Sequence, residues 1–195
     1  MLDPTAIALH TVKRSRLQPG DTAVVVGPGV MGLLVAECAR AMGAGRIIVV
    51  GRGNRLQRAA ELGHETVDFT TQDTVKAVRE MTGGLGADVA MECSGAPDAV
   101  GQCAALLRRG GCVAVIGIPM EDARIPMQRI VLDEIDIVGV RAAAGEMPQA
   151  IALVAAGRIR LAELITHHFA LEDFADAYAT FTKRDGGALK VVVRP

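Results

Sequence analysis

A chain of 195 residues is long enough for one well-buried domain with little left over for a second. Half of its residues are hydrophobic but only 3% are aromatic, with no Trp, so the core must be built from Val, Ile, Leu, Ala and Met. A net charge of -1 removes any global electrostatic reason to expect nucleic acid or an acidic membrane surface as a partner.

Residues 1–17 read as a helix: Ile7, Ala8, Val12 and Leu17 form an apolar stripe, and Lys13, Arg14 and Arg16 load the end that the helix dipole favours for cations. Pro19-Gly20-Asp21 ends it and launches a first strand over 22–26. Gly27-Pro28-Gly29-Val30-Met31-Gly32 follows, opening a helix over 30–42 and then a second strand over 46–50. Further strands are predicted at 65–69, 87–91, 112–116 and 135–140. The helices between them fall at 53–62, 73–81 and 97–107, and Arg108 to Gly111 reads as a turn. Short aliphatic strands joined by connections too long for hairpins call for right-handed crossovers and a doubly wound, Rossmann-like α/β fold with a six-stranded parallel sheet. Strand order 3-2-1-4-5-6 would place the glycine turn beside the end of strand four. After a helix at 145–157, a segment at 165–171, an amphipathic helix near 172–182 and a strand at 189–193 cannot extend that repeat.

Gly27, Gly29 and Gly32 form a G-x-G-x-x-G between strand and helix. In a dinucleotide-binding unit the first glycine makes the tight turn, the second lets backbone approach the pyrophosphate, and the third lets helix pack on strand. The N–H groups of Val30 and Met31 at the helix start then face the anion. An Asp or Glu at the end of strand two would accept the ribose hydroxyls, but position 51 is Gly, followed by Arg52, Gly53, Asn54 and Arg55. Loss of the carboxylate removes repulsion against a 2'-phosphate, and Arg52 and Arg55 can bind that phosphate, so NADP is preferred over NAD. The competing reading makes Arg52, Arg55 and Arg58 a solvated helix face, to which Arg58 is assigned. Cys93-Ser94-Gly95 after strand four and Gly117-Ile118 after strand five should border the ribose and nicotinamide, because ligands bind beyond the carboxyl ends of strands.

The four cysteines, Cys38, Cys93, Cys103 and Cys112, show no metal-ligand spacing and read as small apolar residues of a reducing compartment. Cys93 has no neighbouring cation to make it a nucleophile. His167 and His168, adjacent on an extended segment, point to opposite faces and make no chelating pair. Glu92 at the end of a strand reads as an acid or base, or equally as a residue with a helix-dipole or packing role. The N-terminus has no basic segment leading into a long apolar run, no membrane span is expected, and the chain is expected in the cytoplasm.

These pieces resemble the C-terminal part of zinc-type medium-chain dehydrogenases/reductases, in the polyol and threonine dehydrogenase branch. The matching stretches are LQPGD at 17–21, the glycine turn at 27–32, AAELG at 59–63, MECSG at 91–95, Gly110-Gly111, and LKVVVRP at 189–195. The resemblance implies hydride transfer between a secondary alcohol and nicotinamide, with zinc polarising the alcohol oxygen. It also implies that the zinc ligands lie in a preceding catalytic domain, after which this sequence begins. No catalytic or metal-binding residue is therefore assigned here, although Asp3 stands where the family often places an acid near the zinc. On this basis 1–17 is a crossover helix, 18–160 the dinucleotide-binding domain, and 161–195 a return toward the catalytic domain. The strand at 189–193 is expected to lack its pairing partner, and association through the sheet edge near 135–140 implies a homodimer or homotetramer. A non-catalytic dinucleotide-binding module and a zinc-independent reductase are the alternative readings.

Overall fold

The computed structural model describes residues 1–195, apart from the side chain of Asp185. It divides into two compact units, Met1–Ile159 and Arg160–Pro195. The first unit runs α1 (Leu2–Arg14), β1 (Thr22–Val26), α2 (Val30–Ala41), β2 (Arg46–Gly51), α3 (Gly53–Glu61), β3 (Glu65–Asp68) and α4 (Thr74–Met81). It continues with β4 (Ala87–Glu92), α5 (Ala99–Leu106), β5 (Leu107–Val115), α6 (Met127–Leu132), β6 (Asp136–Gly139) and α7 (Met147–Ala155). The six strands form one parallel sheet in the order β3-β2-β1-β4-β5-β6, as the alternation of runs requires. The chain reverses direction across the sheet between β1 and β4, which opens a crevice at their carboxyl ends.

Ala23 to Val26 and Ile47 to Gly51 are buried in unbroken runs, because helices cover both faces of the sheet. α2 has eight buried residues in succession, Gly32 to Ala39, since it is packed on β1 and β2 on one side and on α1 on the other. This explains why α2 carries an apolar circumference and no narrow stripe. Its one buried acid, Glu37, accepts from His64 Nε2 at 3.1 Å and pairs with Arg40. α1 is tied to the start of α7, where Glu146 Oε1 lies 3.2 Å from His10 Nδ1 and 3.5 Å from Lys13 Nζ. Burial would raise the Glu146 pKa, but the Ala144 N–H and His10 outweigh it and hold the carboxyl below its usual range.

The structure departs from the sequence reading in three places. β5 begins at Leu107 and not at Cys112, so Arg108 to Gly111 lie inside the strand and make no turn. The register slips between the pairs Ala87↔Leu107 and Val89↔Cys112, and Gly110, at φ +68°, absorbs the irregularity. α6 was unforeseen because it buries no residue and has no stripe; Arg129 holds it instead, donating to Ala104 O and Leu107 O at 3.0 Å each. The third departure concerns the second unit, which contains β7 (His167–Ala170), α8 (Phe174–Lys183) and β8 (Val191–Arg194). β8 does have a partner: it pairs in parallel with β7, from His167↔Val191 to Ala170↔Arg194. Thr166 sets this register, its N–H donating to Lys190 O while its hydroxyl oxygen accepts from Leu189 N at 3.0 Å. Smaller shifts occur at helix ends: α1 stops at Arg14 because Arg16 takes φ +62°, and α5 starts at Ala99, two residues after Pro97.

Candidate functional site

The three glycines after β1 have three separate reasons to lack a side chain. Gly27 turns at φ +102°, and a Cβ there would stand 2.9 Å from Ser94 Cβ and N. At Gly32 a Cβ would meet Gly27 O well under 3.0 Å, so helix and strand approach only because it is absent. Gly29 differs. It precedes the first residue of α2, and the nearest atom to a Cβ built there is Arg55 Nη1 at 3.9 Å. The open surface thus lies at the N-terminus of α2, where Val30, Met31 and Gly32 have N–H groups with no intrahelical acceptor. A helix start of this kind is suited to an anion, with the Arg55 guanidinium nearby.

Glu92, the last residue of β4, sits between Val26 of β1 and Val115 of β5 and is 1% exposed. Its Oε1 accepts from Ser94 N at 2.6 Å, Ser94 Oγ at 2.5 Å and Gly95 N at 3.0 Å. Its backbone oxygen accepts from Ile116 N and Gly117 N. A Cβ at Gly117 would collide with Glu92 Oε2 and Gly95 N, and one at Gly95 would lie 3.0 Å from Ile118 O. The buried carboxylate of Glu92 therefore holds the loop after β4, while its backbone carbonyl ties the loop after β5 to the same strand end. In this arrangement Glu92 has a structural role at the end of β4. Cys93 follows it, with N donating to Val26 O at 2.9 Å; burial, and then the Glu92 charge, push its thiol pKa up, away from the thiolate form that a nucleophile uses.

At the other side of the crevice, Gly51 ends β2 in register with Asp68 of β3, and Arg52 begins α3 from an exposed position. The Arg52 guanidinium carbon lies 5.7 Å from the centre of the Phe69 ring, within cation–π range. Hydrogen bonds from Thr70 Oγ1 and N, then the Arg52 charge, hold Asp68 below the usual carboxylate range. Arg58 pairs with Glu61 at 2.8 Å, in keeping with a solvated face. Between the two sides lies a cleft of about 420 Å³, lined by Val26, Gly27, Val50, Phe69, Ser94 and Gln102 among others.

The structure thus gathers Gly27, Gly29, Val30, Met31, Gly32 and Ser94 at the switch point. Gly51, Arg52 and Arg55 stand at its β2 side, while Gly95, Gly117 and the exposed Ile118 stand at its β5 side. β2 and β5 are three strand spacings apart, about 14 Å, so a ligand touching both groups is elongated. Phe69 and Gln102 escaped notice as lining residues; the rule that ligands sit beyond strand ends points to Phe69, just after β3, but not to Gln102, which lies within α5. Asp3 is exposed in the first turn of α1, and among the described residues no group of three or more His, Cys, Asp or Glu could hold a metal ion. A zinc site does not fit the side chains described here.

Comparison with known proteins places this geometry. Residues 30–156 match the family model described as zinc-binding dehydrogenase. The sorbitol dehydrogenase of Bacillus subtilis (strain 168) is 34% identical across the whole chain, which covers 56% of that protein. Among solved structures, 2R,3R-butanediol dehydrogenase from Bacillus subtilis superposes with a TM-score of 0.93 at 32% identity, over 100% of this chain and 56% of that one. A Sinorhizobium meliloti 1021 protein described as a zinc-binding dehydrogenase, and solved bound to NADP, gives 0.91 at 30% identity, over 100% and 58%. The chain spans about half the length of the curated relatives it matches. With a family model covering most of the sheet and relatives alike from end to end, the chain belongs to the zinc-binding dehydrogenase family.

Proposed function

We propose that this chain is the nicotinamide-dinucleotide-binding part of an alcohol or polyol dehydrogenase, acting in hydride transfer between NAD(P) and a secondary alcohol. The observation that carries it is the open cradle at Gly29, set at the topological switch point between two close-packed glycines. The first turn of α2 would hold the pyrophosphate through backbone N–H groups and the dipole, at no cost in side-chain ordering. The apolar cleft beside Val26 and Val50 suits a flat base, and the loops clamped by Glu92 form the far wall for the nicotinamide riboside. When bound, the nicotinamide supplies or accepts the hydride. No step here is assigned to zinc, and no residue of this chain is assigned to proton transfer. α1 and the second unit are, on this reading, the segments leading from and back to a catalytic domain. Association of two copies through β6 goes with it, because an unpaired sheet edge is a template for another strand.

The preference at the ribose is for NADP. Gly51 offers no carboxylate to oppose a 2'-phosphate, while Arg52 and Arg55 stand at the start of the next helix. Calorimetric titration of the chain with each dinucleotide tests both levels: NADP is expected to bind more tightly than NAD. Equal or tighter binding of NAD would overturn the preference, and no heat with either would overturn the dinucleotide reading. In the same assay Arg52→Ala should weaken NADP by about 1–3 kcal/mol and leave NAD nearly unchanged. An unaltered NADP affinity would return Arg52 to the solvated face.

A further inference from the structure

Gly51 lies outside the left-handed region, so its backbone is one that any L-residue can adopt. What bars a side chain there is contact. A Cβ built on Gly51 falls well under 3.0 Å from both Cγ and Cδ of Pro28, whereas Pro28 Cβ would be 3.4 Å away, an ordinary van der Waals distance. A proline ring cannot swing aside as a flexible chain end can. Pro28 belongs to the glycine turn after β1, and Gly51 to the end of β2, so two loops meet at one point of the crevice.

We propose that Pro28 is a specificity-determining residue: its ring occupies the place where an acceptor side chain at position 51 would stand. Discrimination at the ribose is therefore set by a pair, Pro28 with Gly51, and not by position 51 alone. This rests on the reading of the crevice as a dinucleotide site. The physical consequence is that Gly51→Asp by itself does not build a ribose-binding carboxylate, since the side chain enters only if the turn carrying the anion cradle is pushed out of place. Removing Cγ and Cδ of residue 28 opens the position while leaving the flanking glycines in their own contacts.

Thermal melting of the full chain tests the contact without any cofactor. Gly51→Ala should lower the melting temperature by about 3–10 °C. In a Pro28→Ala background the same substitution should cost less than half of that. Purely additive effects would overturn the proposal. Titration with NAD and NADP then tests the selectivity. Pro28→Ala with Gly51→Asp should shift the NAD-to-NADP affinity ratio toward NAD by about tenfold or more relative to the unmodified chain, and Gly51→Asp alone should fall short of this. A Gly51→Asp protein that fails to fold while the double variant folds supports the pairing. A stable Gly51→Asp protein with the full shift overturns it. If the unmodified chain binds neither dinucleotide, the crevice reading falls and the selectivity claim with it, while the melting temperatures still decide whether Pro28 and Gly51 exclude each other.

Discussion

Gly32→Ala is expected to destabilise the chain by about 3 kcal/mol, lowering its melting temperature by about 6–12 °C, and to weaken dinucleotide binding by a hundredfold or more. Helix propensity alone predicts the opposite sign, because Ala within a helix is favoured over Gly by about 1 kcal/mol. The contact decides. A methyl at position 32 meets Gly27 O, a backbone atom of a turn that is itself pinned by Gly27 N donating to Val50 O at 3.0 Å. Neither side can move without shifting α2 relative to β1, and that shift displaces the N–H groups that face the anion. Scanning calorimetry and titration on the same variant would check the two effects together; a more stable protein with intact binding would show that helix propensity wins.

The second large effect belongs to Glu92. Truncation to Ala leaves the Ser94 N–H, the Ser94 hydroxyl and the Gly95 N–H without their acceptor at the centre of the crevice. Each such loss costs about 1–3 kcal/mol where water cannot replace the partner, and partial opening of the loop reduces the sum to about 3 kcal/mol. Glu92→Gln retains one acceptor oxygen and should lose less than half as much. Urea unfolding of the two variants gives the ranking, and a Glu92→Ala midpoint equal to that of the unmodified protein would refute the clamp. Dinucleotide affinity should follow the same order, since Ser94 lines the cleft and Gly95 carries the contact to Ile118.

How far the residues alone disclosed this arrangement depended on the range of the interaction. The strand runs around Val24, Ile48 and Val89, and the spacing of Gly27, Gly29 and Gly32, act within a few residues, and their pattern fixes a buried strand or a tight turn directly. From these the sheet order follows through the handedness of the crossovers. Gly110-Gly111 misled because a glycine pair ordinarily marks a turn, whereas here the pair lets β5 bulge past Asp88; a Cβ on Gly111 would come within 3.0 Å of Asp88 O. The pairing of β7 with β8 was hidden because it joins two four-residue runs across α8, and no periodicity in either run names the other. At the site, the absence of a carboxylate at Gly51 was visible, but what stands in its place was not: that Pro28 reaches position 51 from the turn after β1 is a fact of three dimensions. Glu92 was noticed as an acid at a strand end, yet its donors, two and three residues onward, become meaningful only once the loop folds back.

The wrapping of α2 by sheet and by α1 has a consequence for ionic strength. Residues 32–39 of the helix are enclosed in hydrocarbon, so on the proposed reading the pull of its N-terminus on the pyrophosphate common to NAD and NADP is screened less than a charge on an exposed side chain. Arg52 is exposed, and whatever it adds for a 2'-phosphate passes through solvent. On the proposed reading, added salt is therefore expected to erode the difference between the two dinucleotides faster than the affinity they have in common. The proposed preference for NADP would thereby depend on the ionic surroundings.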